Sequence, residues 1–391
     1  MKILYDHQIF ETQKVGGISR YCYELLYGLA RFNDVVVELS LKHSPNEYLK
    51  NSQFSKKIEP DPDNYENFLQ GREFIGKWSL FNLRKIFRRL GQAKSGNVER
   101  SIAALKKQEF DIFHPTYYDD YFLPYLGGKP FVLTVHDMIH DIYPEHFNLS
   151  DQTSIKKRNL ALLATKIITV SECTKIDLIQ FYGIPPDKVE VIHLACSKYA
   201  HESENVVRPA MPARFLLYVG TRSGYKNFYF FLNSIGRVLK ADPTLHVVCA
   251  GTAFSDNEMA FIMQHEFAAR VHSFSVTDAV LWQLYKRALA LVFPSLYEGF
   301  GLPVLEAFGL DCPAILSNSG SLPEIGGEAA IYFYPKDANS IQAAISKTIY
   351  GSEQFRRNLV VRGNLRAQQF SWENTCRQTE KVYRQILEEL P

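Results

Sequence analysis

The sequence has little that could staple a fold or cross a bilayer. Six cysteines are scattered over 391 residues, at 22, 173, 196, 249, 312 and 376; with long gaps and no C-x-x-C pair they form neither a zinc knuckle nor a redox motif. Reduced, packed thiols are expected. No stretch approaches the roughly 18 consecutive apolar residues of a membrane-spanning helix. In the opening MKILYDHQIF, Asp6 and His7 directly follow a short strand-like run, which breaks the apolar stretch of a secretion signal. The expectation is a soluble, cytoplasmic chain, or one attached only to a membrane surface. Charge of one sign is missing too: 44 Lys plus Arg against 42 Asp plus Glu leave +2. That is far short of the basic excess of a dedicated nucleic-acid binder, so nucleic acid is not an expected partner.

What is present belongs to an ordinary globular protein, with 46% hydrophobic and 22% charged residues. Aromatics are plentiful at 13%, which suits broad apolar cores and surfaces that touch rings or lipid. At ~150 residues per domain the length allows two domains. Short β-rich runs alternate with helical patterns, the sequence form of βαβ units and parallel sheets. Runs at 2–6, 35–39, 111–114, 131–136, 166–170 and 189–194 read as strands, with clear helices at 18–32 and 174–182. The polar, proline-bearing AHESENVVRPAMP loses periodicity, as an interdomain linker does. The strand pattern then restarts at 215–220, 245–251, 270–274, 289–295, 313–318 and 330–335. The expected division is a first domain over 1–200, a linker over 201–212, a second domain over 213–370 and a terminal helix over 371–391. Periodicity does not say whether that helix stays with its own domain or crosses to the first. Two doubly wound α/β domains in tandem make a cleft, and ligands sit beyond the carboxyl ends of such strands.

The strongest local signal is FPSLYEGFGLPVLEAFGLDCP. A buried strand ends at Phe293, a glycine-rich turn with Gly299 and Gly301 follows, and Pro303 opens a helix where its missing N–H costs nothing. Free backbone N–H groups at such a start attract phosphate. Glu298 and Glu306 lie eight positions apart. In one continuous helix they would be ~12 Å apart by rise, too far for a retaining glycosidase pair at about 5 Å. The Gly and Pro residues argue instead for a turn that lets both carboxylates face one cleft, as acceptors for sugar and ribose hydroxyls.

At EGFGLPVLEA, Glu298 to Ala307, the sequence resembles the retaining glycosyltransferases of family GT4, whose fold is GT-B: α/β, two Rossmann-like domains facing a central cleft. The resemblance continues through YVGTRSGYKN, LYKRALALVFPS and SNSGSLPEIGGEAAIYFYP, and returns in the first domain at VGGISRY and LTVHD. It implies that Glu306 holds the nucleotide ribose, that Glu298 contacts hydroxyls of the transferred sugar, and that Arg222 and Lys226 sit on the donor diphosphate. It places Gly16 and Gly17, ahead of a helix, and the backbone of Gly299, Phe300, Gly301 and Leu302 against the donor. His136, at the end of FVLTV, falls beside the reacting sugar. The implied catalytic set is His136, Glu298, Arg222 and Lys226. No cofactor is implied; the donor is a nucleotide sugar and the acceptor a glycan or lipid-linked glycan. DHQIF, VGGISRY, VHDMI and GTRSGYKN look most like bacterial mannosyltransferases of O-antigen and capsule assembly, which points to GDP-mannose.

Two other classes stay open on the residues alone. One is a nucleotide-sugar-binding protein without turnover. The other is a metal-dependent hydrolase built on HDMIHDIYPEH, where Asp137, His140, Asp141, Glu145 and His146 join His136 in a potential ligand cluster. Asp61-Pro62-Asp63 spells D-x-D but reads as an acidic turn. Residues 72–94 carry Arg72, Lys77, Arg84, Lys85, Arg88, Arg89 and Lys94 among apolar side chains. Such a segment is either a basic amphipathic helix on an anionic membrane or a packing helix with a solvated basic face.

Overall fold

In the computed structural model of the chain, residues 1–50, 52–59, 78, 96–196, 210–222 and 224–389 are described. Apart from Trp78, the basic segment 72–94 lies outside them, as do Asp61 to Asp63 and residues 201–209 of the linker.

Each of the twelve strand-like runs forms a strand. The first domain holds β1 (Lys2–Tyr5), β2 (Val36–Leu39), β3 (Ile112–His114), β4 (Val132–Val135), β5 (Lys166–Thr169) and β6 (Val189–Val191). They pair in parallel as β2-β1-β3 and β4-β5-β6, and a parallel bridge from Phe113 to Phe131 joins the halves. The second domain holds β7 (Phe215–Val219), β8 (His246–Ala250), β9 (Val271–Phe274), β10 (Ala290–Phe293), β11 (Ala314–Ser317) and β12 (Ala330–Phe333). Its parallel order, β12-β11-β10-β7-β8-β9, is the doubly wound Rossmann arrangement. Strands β4, β10 and β11 are buried along their whole length, as sheets covered by helices on both faces require.

In the second sheet the chain reverses direction of travel between β7 and β10. Ligands favour that switch point, at the carboxyl ends of the strands. The loops leaving these two strands are 220–227 and 294–301, and they carry Arg222, Lys226, Glu298 and the glycine turn. Topology alone thus brings together two segments that are about 70 residues apart in sequence.

The terminal helix crosses over. Helices Ala338–Ile349 and Glu353–Ala367 stay with the second domain, the latter against helix Leu302–Gly309. After Phe370 the chain turns, Ser371 caps the new helix by accepting from the Asn374 N–H, and Trp372–Glu388 packs on helix Gly17–Leu29 of the first domain. The contact is close: a methyl group on Gly28 would stand 2.4 Å from Cys376 Sγ. Buried Tyr383 shares hydrogen bonds with Tyr5 Oη at 2.5 Å and His114 Nδ1 at 2.6 Å. At the periphery Arg384 pairs with Asp34.

Candidate active site

The cleft residues come from loops that leave strand ends and from the helices that follow. Gly301 adopts φ 104°, a left-handed conformation that glycine alone takes readily. It turns the chain from the end of β10 into helix Leu302–Gly309, with Pro303 in the first turn. Ser321 clamps the turn by donating to the carbonyls of Glu298 at 2.9 Å and Phe300 at 2.8 Å. Glu298 therefore projects from a turn with fixed backbone.

Lys226 meets it there. Its Nζ lies 2.6 Å from Glu298 Oε1, with both side chains largely buried, and faces the rings of Tyr225 and Phe293 at 5.2 and 5.5 Å. Glu306 sits on the next helical turns. Its Oε1 accepts from Arg20 Nη1 at 2.6 Å and its Oε2 from the Tyr285 hydroxyl at 3.0 Å. Arg20 belongs to the first domain, so this ion pair spans the cleft.

Arg222 requires a correction. The loop position suggests a cation open to the donor, yet its side chain is only 2% exposed. Nε and Nη2 grip both oxygens of Glu258 at 2.8 and 3.1 Å, and Nη2 also donates to the Ala253 carbonyl at 2.9 Å. Glu258 in turn forms a capping box with Ser255 at the start of helix Asp256–Met263. Arg222 is thus built into the floor of the loop. Its Nη1 is buried without a hydrogen-bond partner among the described residues, close to the backbone at Gly251. Only that nitrogen is uncommitted.

From the other side, His136 closes β4 and is buried, with its ring edge-on to Tyr21 at 5.2 Å. Burial pushes its pKa down to about 4; nearby Lys157 adds to the shift and Asp137 opposes it. The imidazole is neutral near pH 7. The backbone of His136 abuts the glycine turn so tightly that a Cβ on Gly299 would fall 1.9 Å from the His136 carbonyl oxygen. Ser171 and Thr174, at the start of helix Glu172–Tyr182, donate to the Gly299 carbonyl at 2.7 and 3.3 Å. Gly16 precedes and Gly17 opens helix Gly17–Leu29, and a methyl on Gly17 would lie 3.6 Å from Leu302 Cδ1. The starts of the two cleft helices therefore face each other, and Gly17, His136, Gly299, Leu302 and Glu306 meet across this seam, while Lys226 and Glu298 pair within the second domain and Arg222 lies buried in it.

The hydrolytic metal alternative is not favoured. Asp141 is paired with buried Lys157 at 2.8 Å, His140 stacks on Phe147 with ring centroids 3.8 Å apart, and His146 packs against Gly224. Among the described residues no group of three or more His, Cys, Asp or Glu side chains is gathered so that it could hold a metal ion.

Sequence reasoning gave no role to Arg20, Glu258, Tyr285 or Ser171. Ser255-x-x-Glu258 is a visible capping-box signature, but nothing local links it to Arg222.

Two facing Rossmann-like domains, with two helix starts meeting across the cleft and paired cations and carboxylates beside them, have the GT-B architecture. Residues 15–197 match the model of Glycosyltransferase Family 4, and residues 201–364 match that of Glycosyl transferases group 1. The chain belongs to the family 4 glycosyltransferases. It is 29% identical over 397 residues to the O-antigen chain mannosyltransferase B of Escherichia coli, covering 96% of this chain and 99% of that one. Sucrose-phosphate synthase from Thermosynechococcus elongatus shares the fold with TM-score 0.70 at 19% identity, over 100% of this chain and 99% of that one. Anabaena HepE in complex with UDP and glucose does so with TM-score 0.66 at 15% identity, again over 100% and 99%. The protein is a hexosyltransferase of polysaccharide synthesis, with a nucleotide sugar as donor and a glycan as acceptor. Among the described residues no helix is long and apolar enough to cross a membrane.

Proposed function

We propose that the protein transfers mannose from GDP-mannose, with retention at the anomeric carbon, to a hydroxyl of a glycan or lipid-linked glycan during surface polysaccharide assembly. The observation that carries the chemistry is the Lys226–Glu298 pair at 2.6 Å, set at the switch point beside the helix that bears Glu306. Lys226 binds the donor diphosphate and stabilises the charge that grows as the sugar leaves. Glu298 accepts hydroxyls of the sugar and Glu306 those of the ribose. Arg222 reaches the phosphates only through Nη1; its larger share is to hold the loop. Neutral His136 bonds a sugar hydroxyl from the opposite wall. Backbone N–H groups over Gly299 to Leu302, and the helix start behind Gly16 and Gly17, add donors for the phosphates.

The bond from the anomeric carbon to phosphate breaks on one face, the acceptor oxygen bonds that same face, and its proton passes to the leaving phosphate oxygen. Lys226 and the backbone donors carry the developing charge, so neither metal nor cofactor is needed. Mannose as the sugar rests on the full-length similarity to a mannosyltransferase. The protein acts in the cytoplasm, with 72–94 as a basic contact to the inner membrane face.

The test is a thermal-shift panel of nucleotide sugars, because a ligand of the folded state raises its melting temperature by mass action. Transfer to a lipid-linked acceptor follows, with the anomeric configuration of the product read by NMR. GDP-mannose should give the largest shift and an α-linked mannoside. A shift with UDP sugars and none with GDP-mannose would replace the donor, and donor binding without transfer to any glycan would leave a binding protein.

A further inference from the structure

Arg20 has no part in the mechanism above, yet it makes the closest polar contact to the ribose carboxylate. It lies in the first turn of helix Gly17–Leu29, where its N–H bonds the Gly16 carbonyl at 2.9 Å. Glu306 lies just past the first turn of helix Leu302–Gly309, and the two helix starts meet at Gly17 and Leu302. Facing helix starts direct both side chains into the seam. There Arg20 Nη1 and Glu306 Oε1 stand 2.6 Å apart, with the side chains 11% and 8% exposed.

We propose that Arg20 is a positioning residue for the nucleotide ribose, completing from the first domain a site whose carboxylate belongs to the second. The inference rests on the reading of Glu306 as the ribose acceptor. A glutamate has three rotatable side-chain bonds, and ordering them on binding costs entropy. Arg20 on one oxygen and the Tyr285 hydroxyl on the other fix the carboxylate before the ligand arrives. A carboxylate offers about four acceptor positions over its two oxygens, so ribose hydroxyls can share it with protein donors. Because the guanidinium comes from the opposite domain, the carboxylate is fixed only when the cleft is closed. Ribose hydroxyls thus bind the closed arrangement better than the open one and draw the domains together. A purely structural clamp predicts something different: its loss would weaken every nucleotide equally, with or without those hydroxyls.

Isothermal titration of the full chain with GDP and with 2′,3′-dideoxy-GDP separates the two. The wild type should prefer GDP by tenfold or more. Arg20→Ala should shrink that preference to less than threefold while changing dideoxy-GDP affinity by less than threefold. Arg20→Lys should recover part of the preference, and Arg20→Ala should add nothing in a Glu306→Gln background. If Arg20→Ala does not fold, Arg20→Gln and Arg20→Lys carry the same comparison. Equal weakening of both ligands would make Arg20 a structural clamp, and a selective fall for dideoxy-GDP a phosphate ligand; either outcome overturns the proposal. A wild type that binds GDP without discrimination overturns it too, but leaves the donor reading standing. A wild type that binds neither GDP nor UDP removes both.

Discussion

Gly299→Ala is the sharpest perturbation of the seam. The backbone at 299 is not left-handed, so alanine brings no dihedral strain, only a methyl group. That methyl would meet the His136 carbonyl oxygen at 1.9 Å, its carbonyl carbon at 2.9 Å and Asp137 Cβ at 2.8 Å. Two of these atoms are backbone at the end of a buried strand and cannot swing aside. Restoring the 3.4 Å of ordinary contact therefore moves the domains apart by about 1.5 Å, against close-packed interiors that resist local adjustment. A displacement of ~1 Å at reacting groups costs on the order of 100-fold in rate. Steady-state transfer should fall by at least that factor. The melting temperature of each domain changes far less, because the strands and helices keep their own contacts. Small-angle scattering of the donor-bound protein should show a more open envelope than the wild type. A Gly299→Ala enzyme with kcat within threefold of wild type and an unchanged donor-bound envelope would refute the claim that turnover requires this approach.

Arg222→Met strips half-buried Glu258 of a bidentate partner and should destabilise the fold by about 1.5–3 kcal/mol, the range for hydrogen bonds to a charged group, in urea denaturation, whereas Lys226→Met should lower kcat/KM by two orders of magnitude or more. An Arg222→Met protein as stable as the wild type, or a Lys226→Met enzyme within threefold of wild-type kcat/KM, would contradict these roles. Acid should weaken the fold from pH 6.5 down to about 3. Burial lowers His114 to about 3 and His136 to about 4, while an unfolded histidine titrates near 6.5, so below that pH the unfolded chain binds more protons. Fully titrated, His136 forfeits on the order of 3 kcal/mol and His114 on the order of 5, and a denaturation midpoint that is flat from pH 7 to 4.5 would exclude it. Single-turnover transfer should persist in excess chelator, with alanine at His140 or His146 costing little and alanine at His136 costing much. Complete loss that metal restores, with equal losses at His136 and His140, would reinstate a catalytic metal.

The parts of the fold that could be read from sequence are those that short windows encode. Buried parallel strands such as FLLYV and ALVF leave near-continuous apolar runs, and the turn at 299–301 leaves its glycines and Pro303. The end of helix Glu172–Tyr182 falls where expected, before left-handed Gly183, while its start, capped by Ser171, precedes the expected 174. The direction of the last helix was not legible: its apolar stripe of Cys376, Val382, Tyr383 and Ile386 says that it packs, not on what. Arg222 was misjudged for the same reason. A loop arginine next to a strand end looks solvated until its partner 36 positions away is known. Arg20 and Glu306 are 286 positions apart, and no periodicity records such a pairing.

The contacts between the domains are of two kinds, and their placement sets how the cleft works. On the side of the terminal helix, Tyr383, Val382 and Ile386 are buried with Tyr5, Tyr21 and Leu25 in one apolar cluster that continues to Phe293 and Leu305 of the second domain. Opening there would expose apolar surface at ~25 cal/mol per Å2. A second set of interdomain contacts is polar: Arg20 with Glu306, Ser171 with the Gly299 carbonyl, Tyr297 with Asp177, and Glu324 with the N–H groups of Glu172 and Cys173. Water can replace each partner there, and a hydrogen bond so exchanged is worth only about 1 kcal/mol net. Parting the polar contacts therefore costs less than parting the apolar ones. The terminal helix ties the two domains together through apolar packing, and the polar seam is the part whose partners donor hydroxyls and phosphates can replace without prying apart that core.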